Sequence, residues 1–412
     1  YRVDAFSQIF KVIITFGLFI VIYLGKGLYG IDDTLRPEYY LFMTLSAFGL
    51  MCMSSAVELI TIILSLEIHS FALFIIIPFR KHGAYRKQME AGIKYALFGA
   101  AASGISLYGM SYIFGMTHTT YLADLVKIIP GVILNKPLML IGLVMLLSGF
   151  FYKLALFPMH FWAPDVYEGA ANETSGFVAT LPKVGAVALL IRLISLAGVD
   201  AGQFTWVLMI FAVLSMTFGN LSALVQNDIK RLLAYSSIAH AGYVMIGLLC
   251  ATDFGYLSGI YYIAGYLLMN LACFYVIYNL APQGENITFD DLGGLYKRSP
   301  LLALTLAVGA FGLAGIPPTI GFTGKLFLFT AAIKKDMYAL IILAVINSGI
   351  AIFYYLKMVR AAYTGVDFQV SPLNLRLSTS VLGIFFIVII ILLGTFPQGF
   401  MDVAKEAVAA VI

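Results

Sequence analysis

The sequence predicts an all-α, polytopic membrane protein, and three observations carry that prediction. Of 412 residues, 61% are apolar and 11% charged, whereas soluble domains have about 25% charged residues. So few charges cannot dress a water-facing surface of this size. The mean hydropathy is +0.95. The apolar residues also form continuous runs, as in 381–393, not the two-residue alternation of a membrane barrel.

A span needs roughly 20 apolar residues. Twelve stretches qualify, at about 6–25, 39–57, 58–79, 92–115, 136–168, 174–197, 204–225, 229–250, 254–280, 300–335, 337–363 and 377–397. The run near 16–24 is followed by further spans, so it reads as one of them and not as a signal peptide. The chain starts at Tyr1 rather than Met, which reads as a truncated product.

Two of these spans are interrupted. The fifth contains Gly149-Phe-Phe-Tyr-Lys153-Leu-Ala-Leu-Phe-Pro158, then Trp162, Pro164 and Asp165. The tenth contains Ala314-Gly-Ile-Pro317-Pro318, then Gly321, Gly324 and Lys325. Proline removes a backbone donor and clashes with the preceding turn. Unwound backbone at membrane depth survives only where protein or water satisfies it. Counted from the second span, each break is the fourth helix of a group of five. The expected organisation is a first span and loop (1–38), a five-helix repeat (39–197), a second, inverted five-helix repeat (204–363), and a last span with its tail (377–412). An odd number of helices per repeat inverts the second copy, and paired broken helices in inverted repeats are a transporter pattern.

Lysine and arginine set the orientation. Loops after the odd-numbered spans hold Lys26, Arg36, Arg80, Lys81, Arg86, Lys87, Lys94, Lys230, Arg231, Lys297, Arg298, Lys357, Arg360 and Arg376. The opposite side holds Arg2, Lys11, Lys127, Lys136, Arg192, Lys334, Lys335 and Lys405. The larger group is the cytoplasmic one, which puts both ends of the chain outside. Lys230 and Arg231 then read as headgroup anchors.

Three basic residues remain, Lys153, Lys183 and Lys325, and all lie inside spans. A lysine at the centre of a spanning helix costs about 2.5–3.5 kcal/mol even on the lenient insertion scale. Lysine readily changes its protonation on burial, so these three read as proton carriers. The bland alternatives are a snorkelling Lys153, a structural hydrogen bond from Lys183, and a membrane-face anchor at Lys325. Glu67 also lies in an apolar run, and a buried carboxylate needs a cationic partner. A lysine from another span would supply it, and separating the pair would release a proton. His240 falls mid-span beside Tyr243. It reads equally as a proton relay and as an interhelical donor. His69 and His160 read as structural, His82 and His118 as loop or interface residues, and Glu58 as interfacial. Cys52, Cys250 and Cys273 stand alone, which rules out the usual iron–sulfur and zinc spacings.

The wording around these residues resembles the antiporter-like membrane subunits of respiratory complex I. It runs through Ser-Leu-Glu67-Ile-His-Ser, Tyr-Lys153-Leu-Ala-Leu-Phe-Pro-Met-His-Phe-Trp-Ala-Pro-Asp-Val-Tyr-Glu-Gly, Asn227-Asp-Ile-Lys-Arg-Leu-Leu-Ala-Tyr-Ser-Ser-Ile-Ala-His240 and Gly315-Ile-Pro-Pro-Thr-Ile-Gly-Phe-Thr-Gly-Lys325. The resemblance implies a proton-translocating role with Glu67, Lys153, Lys183 and Lys325 as a membrane-plane axis of charge. It implies about fourteen spans in the family, of which this chain begins at the third. Within that resemblance Lys325 favours the N or L type, the Pro-Asp-Val-Tyr-Glu-Gly run favours N, and the short tail lacks the long lateral helix of the L type. The implied setting is a bacterial inner membrane, with neighbouring membrane-arm subunits and lipid as partners and no nucleic acid. No cofactor or metal is expected on this chain; NADH, FMN, iron–sulfur clusters and quinone belong to the wider complex. One departure is the segment Ala170-Ala-Asn-Glu-Thr-Ser-Gly, where many relatives read Ala-Pro-Thr-Pro.

Three other readings compete. A multi-subunit cation/proton antiporter shares the core fold, but a sodium site wants oxygen ligands and this set is dominated by lysine. A passive scaffold leaves three intramembrane lysines without a reason. A redox enzyme lacks any dinucleotide or haem pattern in this chain.

Overall fold

Backbone in lipid must satisfy its own hydrogen bonds, and in this protein helices do so. The computed structural model describes residues 1–25, 27–81, 85–133, 136–197, 202–281, 283–364 and 372–410. Lys26 and His82 lie outside the described residues. Among those described there are seventeen α-helices and no strands beyond two isolated bridges.

The order is α1 (Ala5–Leu24), α2 (Arg36–Ser55), α3 (Leu59–Ile76), α4 (Tyr85–Thr117), α5 (Leu122–Ile133), α6 (Pro137–Leu154), α7 (Ala163–Gly169), α8 (Asn172–Ile194) and α9 (Gly202–Leu224). Then come α10 (Ile229–Leu249), α11 (Asp253–Leu280), α12 (Leu295–Arg298), α13 (Pro300–Ala314), α14 (Ile320–Ile333), α15 (Tyr338–Tyr363), α16 (Leu377–Thr395) and α17 (Gln398–Ala409). Ten are long and apolar enough to cross a membrane. The other two expected spans are α2, diluted by Arg36 and Glu38 in its first turn, and the broken pair α13–α14. Three helices were not foreseen, of which α12 is a single turn. Helix α5 has an apolar stripe packed on α6 and on the turn after α8, and α17 packs on α1 and α11.

Helices α8 and α11 are enclosed along their whole apolar windows and α10 nearly so, whereas α16 faces outwards. The interior of the protein is thus the α8–α10–α11 bundle. Small residues let α9 approach α10 closely: a Cβ at Gly242 would lie 2.5 Å from the Ala212 carbonyl, and one at Gly219 would lie 2.7 Å from the Ala239 amide.

The two breaks fall where the prolines predict, and they close identically. Helix α6 ends with Ala155 in the left-handed region at φ 58°, and the Leu156 amide donates back to the Phe151 carbonyl at 2.8 Å. Helix α13 ends with Gly315 at φ 86°, and the Ile316 amide donates to Phe311 at 2.9 Å. Both are Schellman-type closures, in which a left-handed residue lets the chain leave the helix with its last carbonyls partly satisfied. A cis X-Pro peptide follows in each, Phe157–Pro158 and Pro317–Pro318.

The N-terminal end is held by a buried ion pair. Asp4 caps α1 through the Ser7 amide at 2.7 Å, and Arg192 of α8 donates to the same carboxylate at 2.8 Å. Burial alone would push the Asp4 carboxyl up, but the Ser7 amide and the Arg192 guanidinium hold it below its ordinary value. A lowered folded-state pKa contributes stability above the unfolded value, and that stability is lost as pH falls through the folded one. Acid unfolding of the detergent-solubilised protein should therefore be less steep for Asp4→Asn than for the parent, read by helix circular dichroism below the carboxylate range.

Candidate functional site

Breaking a helix inside the membrane frees carbonyls at its C-terminal end, which also carries the negative pole of the helix dipole. In this protein a lysine ammonium meets each such end. Lys183 of α8 donates to the Leu154 carbonyl, the last residue of α6, at 2.6 Å. Lys325 of α14 donates to Ala314, the last residue of α13, at 2.8 Å, and to the Ser348 hydroxyl at 3.0 Å. Lys230 of α10 donates to the Ala170 carbonyl just past α7 at 3.0 Å. All three lysines are buried.

Lys153, in the last turn of α6, is buried as well. Its ammonium donates to the Tyr95 hydroxyl at 3.1 Å and lies 5.0 Å and 5.2 Å from the ring centres of Tyr95 and Tyr152. These rings offer a cation a favourable face. Glu67 on α3 is half-buried, and its charge reaches Lys153 without an ion-pair contact. Its Oε1 is buried and finds no hydrogen-bond partner among the described residues. The structure thus shows the carboxylate and the ammonium apart.

His240 stands between the other two lysines, in electrostatic reach of both Lys183 and Lys325. Its Nδ1 shares a hydrogen bond with Tyr262 at 2.6 Å, and its Nε2 shares one with Tyr355 at 3.1 Å. Tyr355 is bonded in turn to Ser236. His240 and Lys183 line one small internal void with Leu154, Tyr262 and Tyr266, too tight for a water molecule. On the far side the Lys325 ammonium lies 4.7 Å from the Tyr243 ring centre, one turn along α10 from His240. The polar groups therefore run in sequence across the bundle: Glu67 on α3, Lys153 on α6, Lys183 on α8, His240 on α10 and Lys325 on α14. Lys183 and His240 share a lining, and His240 lies in electrostatic reach of Lys325, whereas Lys153 is linked to Lys183 only through the chain, by the neighbouring Leu154.

Two residues fall elsewhere than expected. Lys230 is no headgroup anchor: it sits wholly inside, because α7 folds back over the start of α10. Arg231 pairs with Asp165 at 2.7 Å and Glu168 at 2.8 Å, and Lys87 pairs with Glu168 at 2.6 Å. This ionic cluster ties α4, α7 and α10 together. Tyr262 and Tyr355 were overlooked in the sequence; a tyrosine in an apolar helix is ordinarily core, and only the position of His240 reveals their bonds. His69 bonds to Ser46 at 2.7 Å, and His160 stacks on Phe157 and Phe161. Glu58 accepts from Thr120 at 3.0 Å at the start of α3. Among the described residues no group of three His, Cys, Asp or Glu side chains could hold a metal ion, and the three cysteines are free.

A family model described as NADH:quinone oxidoreductase/Mrp antiporter, transmembrane, matches residues 56–351, which hold all five groups of the line. The chain belongs to this family. It is 48% identical to NADH-quinone oxidoreductase subunit N 2 of Opitutus terrae, an alignment covering 100% of this chain and 86% of that protein. A chain in the structure of respiratory complex I from Thermus thermophilus with bound aureothin matches at 31% identity with a TM-score of 0.84, over 98% of this chain and 87% of that one. A chain in the Mrp complex from Dietzia sp. has a TM-score of 0.88 at 19% identity, over 99% and 84%; at that identity the likeness speaks for the fold alone.

The carbonyl contact of Lys183 has a direct consequence. Lys183→Met should leave the Leu154 carbonyl buried and without its donor, at a cost of about 1–3 kcal/mol. Faster amide exchange around 150–157 than around 311–316 would register it, and equal exchange at both breaks would show that the bond carries no weight.

Proposed function

We propose that this chain is the proton-translocating membrane-arm subunit of a bacterial NADH–quinone oxidoreductase, of the subunit N type. In this reading Glu67, Lys153, Lys183, His240 and Lys325 carry the protons. The observation that supports it is the row of titratable groups across α3, α6, α8, α10 and α14, buried except for the half-buried Glu67, with tyrosine hydroxyls beside Lys153 and His240. NADH, FMN, iron–sulfur clusters and quinone work in partner chains, and neighbouring membrane-arm subunits deliver the drive. The chain sits in the cell inner membrane with both ends of the described chain on the periplasmic side, as the lysine and arginine asymmetry indicates.

The mechanism follows from electrostatics in a low-dielectric interior. A carboxylate near an ammonium stabilises its charge; a carboxylate held away releases the amine to give its proton up. The gap between Glu67 and Lys153 corresponds to the released arrangement. Closing it draws a proton onto Lys153, and reopening it passes a proton on. Lys183 lies next along the line, because the carbonyl it holds belongs to the residue after Lys153. His240 then exchanges through Tyr262 or Tyr355 towards Lys325.

Two five-helix blocks, 39–197 and 204–363, read as inverted repeats. The matching closures of α6 and α13 support this. So does a second correspondence: Glu58 before α3 bridges to Tyr121, and Asp228 before α10 bridges to Thr288. By the charge asymmetry these two bridges lie on opposite membrane faces.

Proton pumping per electron by the assembled complex in liposomes tests the reading. Lys153→Ala or Lys183→Ala should lower it while assembly stays detectable, and unchanged pumping in both would remove the line from consideration. Glu67→Gln should slow NADH-driven turnover; full turnover would dispose of the switch. A cation/proton antiporter remains the second reading, on its shared fold. Pumping that is equal with and without sodium excludes it.

A further inference from the structure

The proton line begins and ends inside the protein, so protons must reach it from a surface. Among the cavities of the described residues, one reaches a buried carboxylate. It has a volume of about 410 Å³ and is lined by Tyr29, Glu173, Tyr278, Asn374, Arg376 and Ser378, among others. Its rim residues Tyr29, Asn374, Arg376 and Ser378 are exposed, whereas Glu173 and Tyr278 at its inner end are buried. The rim belongs to the loops after the first and eleventh spans and the first turn of α16, the side that the charge asymmetry assigns to the cytoplasm.

Glu173 is a carboxylate with little company. It lies in the first turn of α8 and is 5% exposed, and its Oε2 finds no hydrogen-bond partner among the described residues. Leaving a buried acceptor unbonded is costly. Glycines cradle it: a Cβ at Gly30 would stand 3.1 Å from Oε2, and one at Gly25 would stand 3.0 Å from its Cγ. The charges and titratable groups facing it are Lys230 of α10, Arg80 of the loop after α3, Arg36, Tyr39 and Tyr40 of α2, and Tyr278 of α11.

We propose that Glu173 is the proton-loading group of this chain, taking protons from the cavity and passing them to Lys230. The inference rests on the proton-translocation reading and adds its entry. The carboxylate takes a proton from water at the inner end of the cavity and becomes a neutral acid. Once the Lys230 ammonium has passed its own proton towards the line, the neutral acid gives its proton to the resulting amine, which becomes an ammonium again while the carboxylate is restored. Two turns along α10 from Lys230, Ser237 bonds with Tyr167 at 3.2 Å and borders the void that Lys183 and His240 share. This places hydroxyls between the loading group and the line.

The test uses the assembled oxidoreductase in liposomes, with protons per electron as the readout. Glu173→Gln should lose as much pumping as Lys183→Ala, Glu173→Asp should regain it, and Lys405→Ala, exposed on α17, should match the parent. A difference-infrared band from a protonated carboxyl should vanish in Glu173→Gln and return in Glu173→Asp. Full pumping by Glu173→Gln beside a deficient Lys183→Ala would overturn the loading role and leave the line standing; full pumping by both would overturn the line itself. Where Glu173→Gln fails to assemble, Ser378→Trp decides. It obstructs the rim without touching Glu173, so reduced pumping supports the cavity as the entry and undiminished pumping overturns it.

Discussion

The bond between a lysine ammonium and the free carbonyls at a helix end is what the rest of this protein depends on. A membrane offers no water to a broken helix, so every break needs a donor from within. Lys183 and Lys325 supply it at the two interrupted spans, and Lys230 supplies it behind α7. The arrangement serves both partners. The carbonyls and the helix dipole offset the cost of burying each charge, and the charge allows the chain to stop being helical at mid-depth. A fold that places lysines in oil thereby acquires groups whose proton occupancy its neighbours can set.

The enclosure of α8, α10 and α11 gives these bonds their setting. Close backbone contacts at Gly219 and Gly242 hold α9 against α10, and the ionic cluster of Lys87, Asp165, Glu168 and Arg231 clamps α4, α7 and α10 at one edge. Charged pairs at an edge hold geometry more than they add stability. Their effect here is to keep α7 over Lys230. The lysines are thus positioned by parts of the chain that are themselves firmly packed, as a site of defined geometry requires.

Much of this was legible in the sequence, for particular reasons. Spans announce themselves by apolar length, and Pro158, Pro317 and Pro318 mark the breaks because proline cannot continue a helix. Lys153, Lys183 and Lys325 stand out because a cation in a long apolar run has no cheap explanation. Other features depend on contacts between segments distant in the chain. Lys230 begins its helix and reads as an interfacial cation; only the fold of α7 back over it makes it internal. The bonds of Tyr262 and Tyr355 to His240 join three helices that no local pattern links. Helix α5 is short and amphipathic, so a search for spans passes over it. The separation of Glu67 from Lys153 is set by how their helices are placed in the bundle, which spacing along a chain does not encode.

The void shared by Lys183 and His240 is closed to water. A channel with a standing water file would let ions run down the membrane potential whenever the electron-transfer machinery paused. Here the packing between Lys183 and His240 leaves no room for such a file, so a water path through this point requires side chains to move. On the proton-translocation reading, tight packing at this point acts against loss of the energy stored across the bilayer.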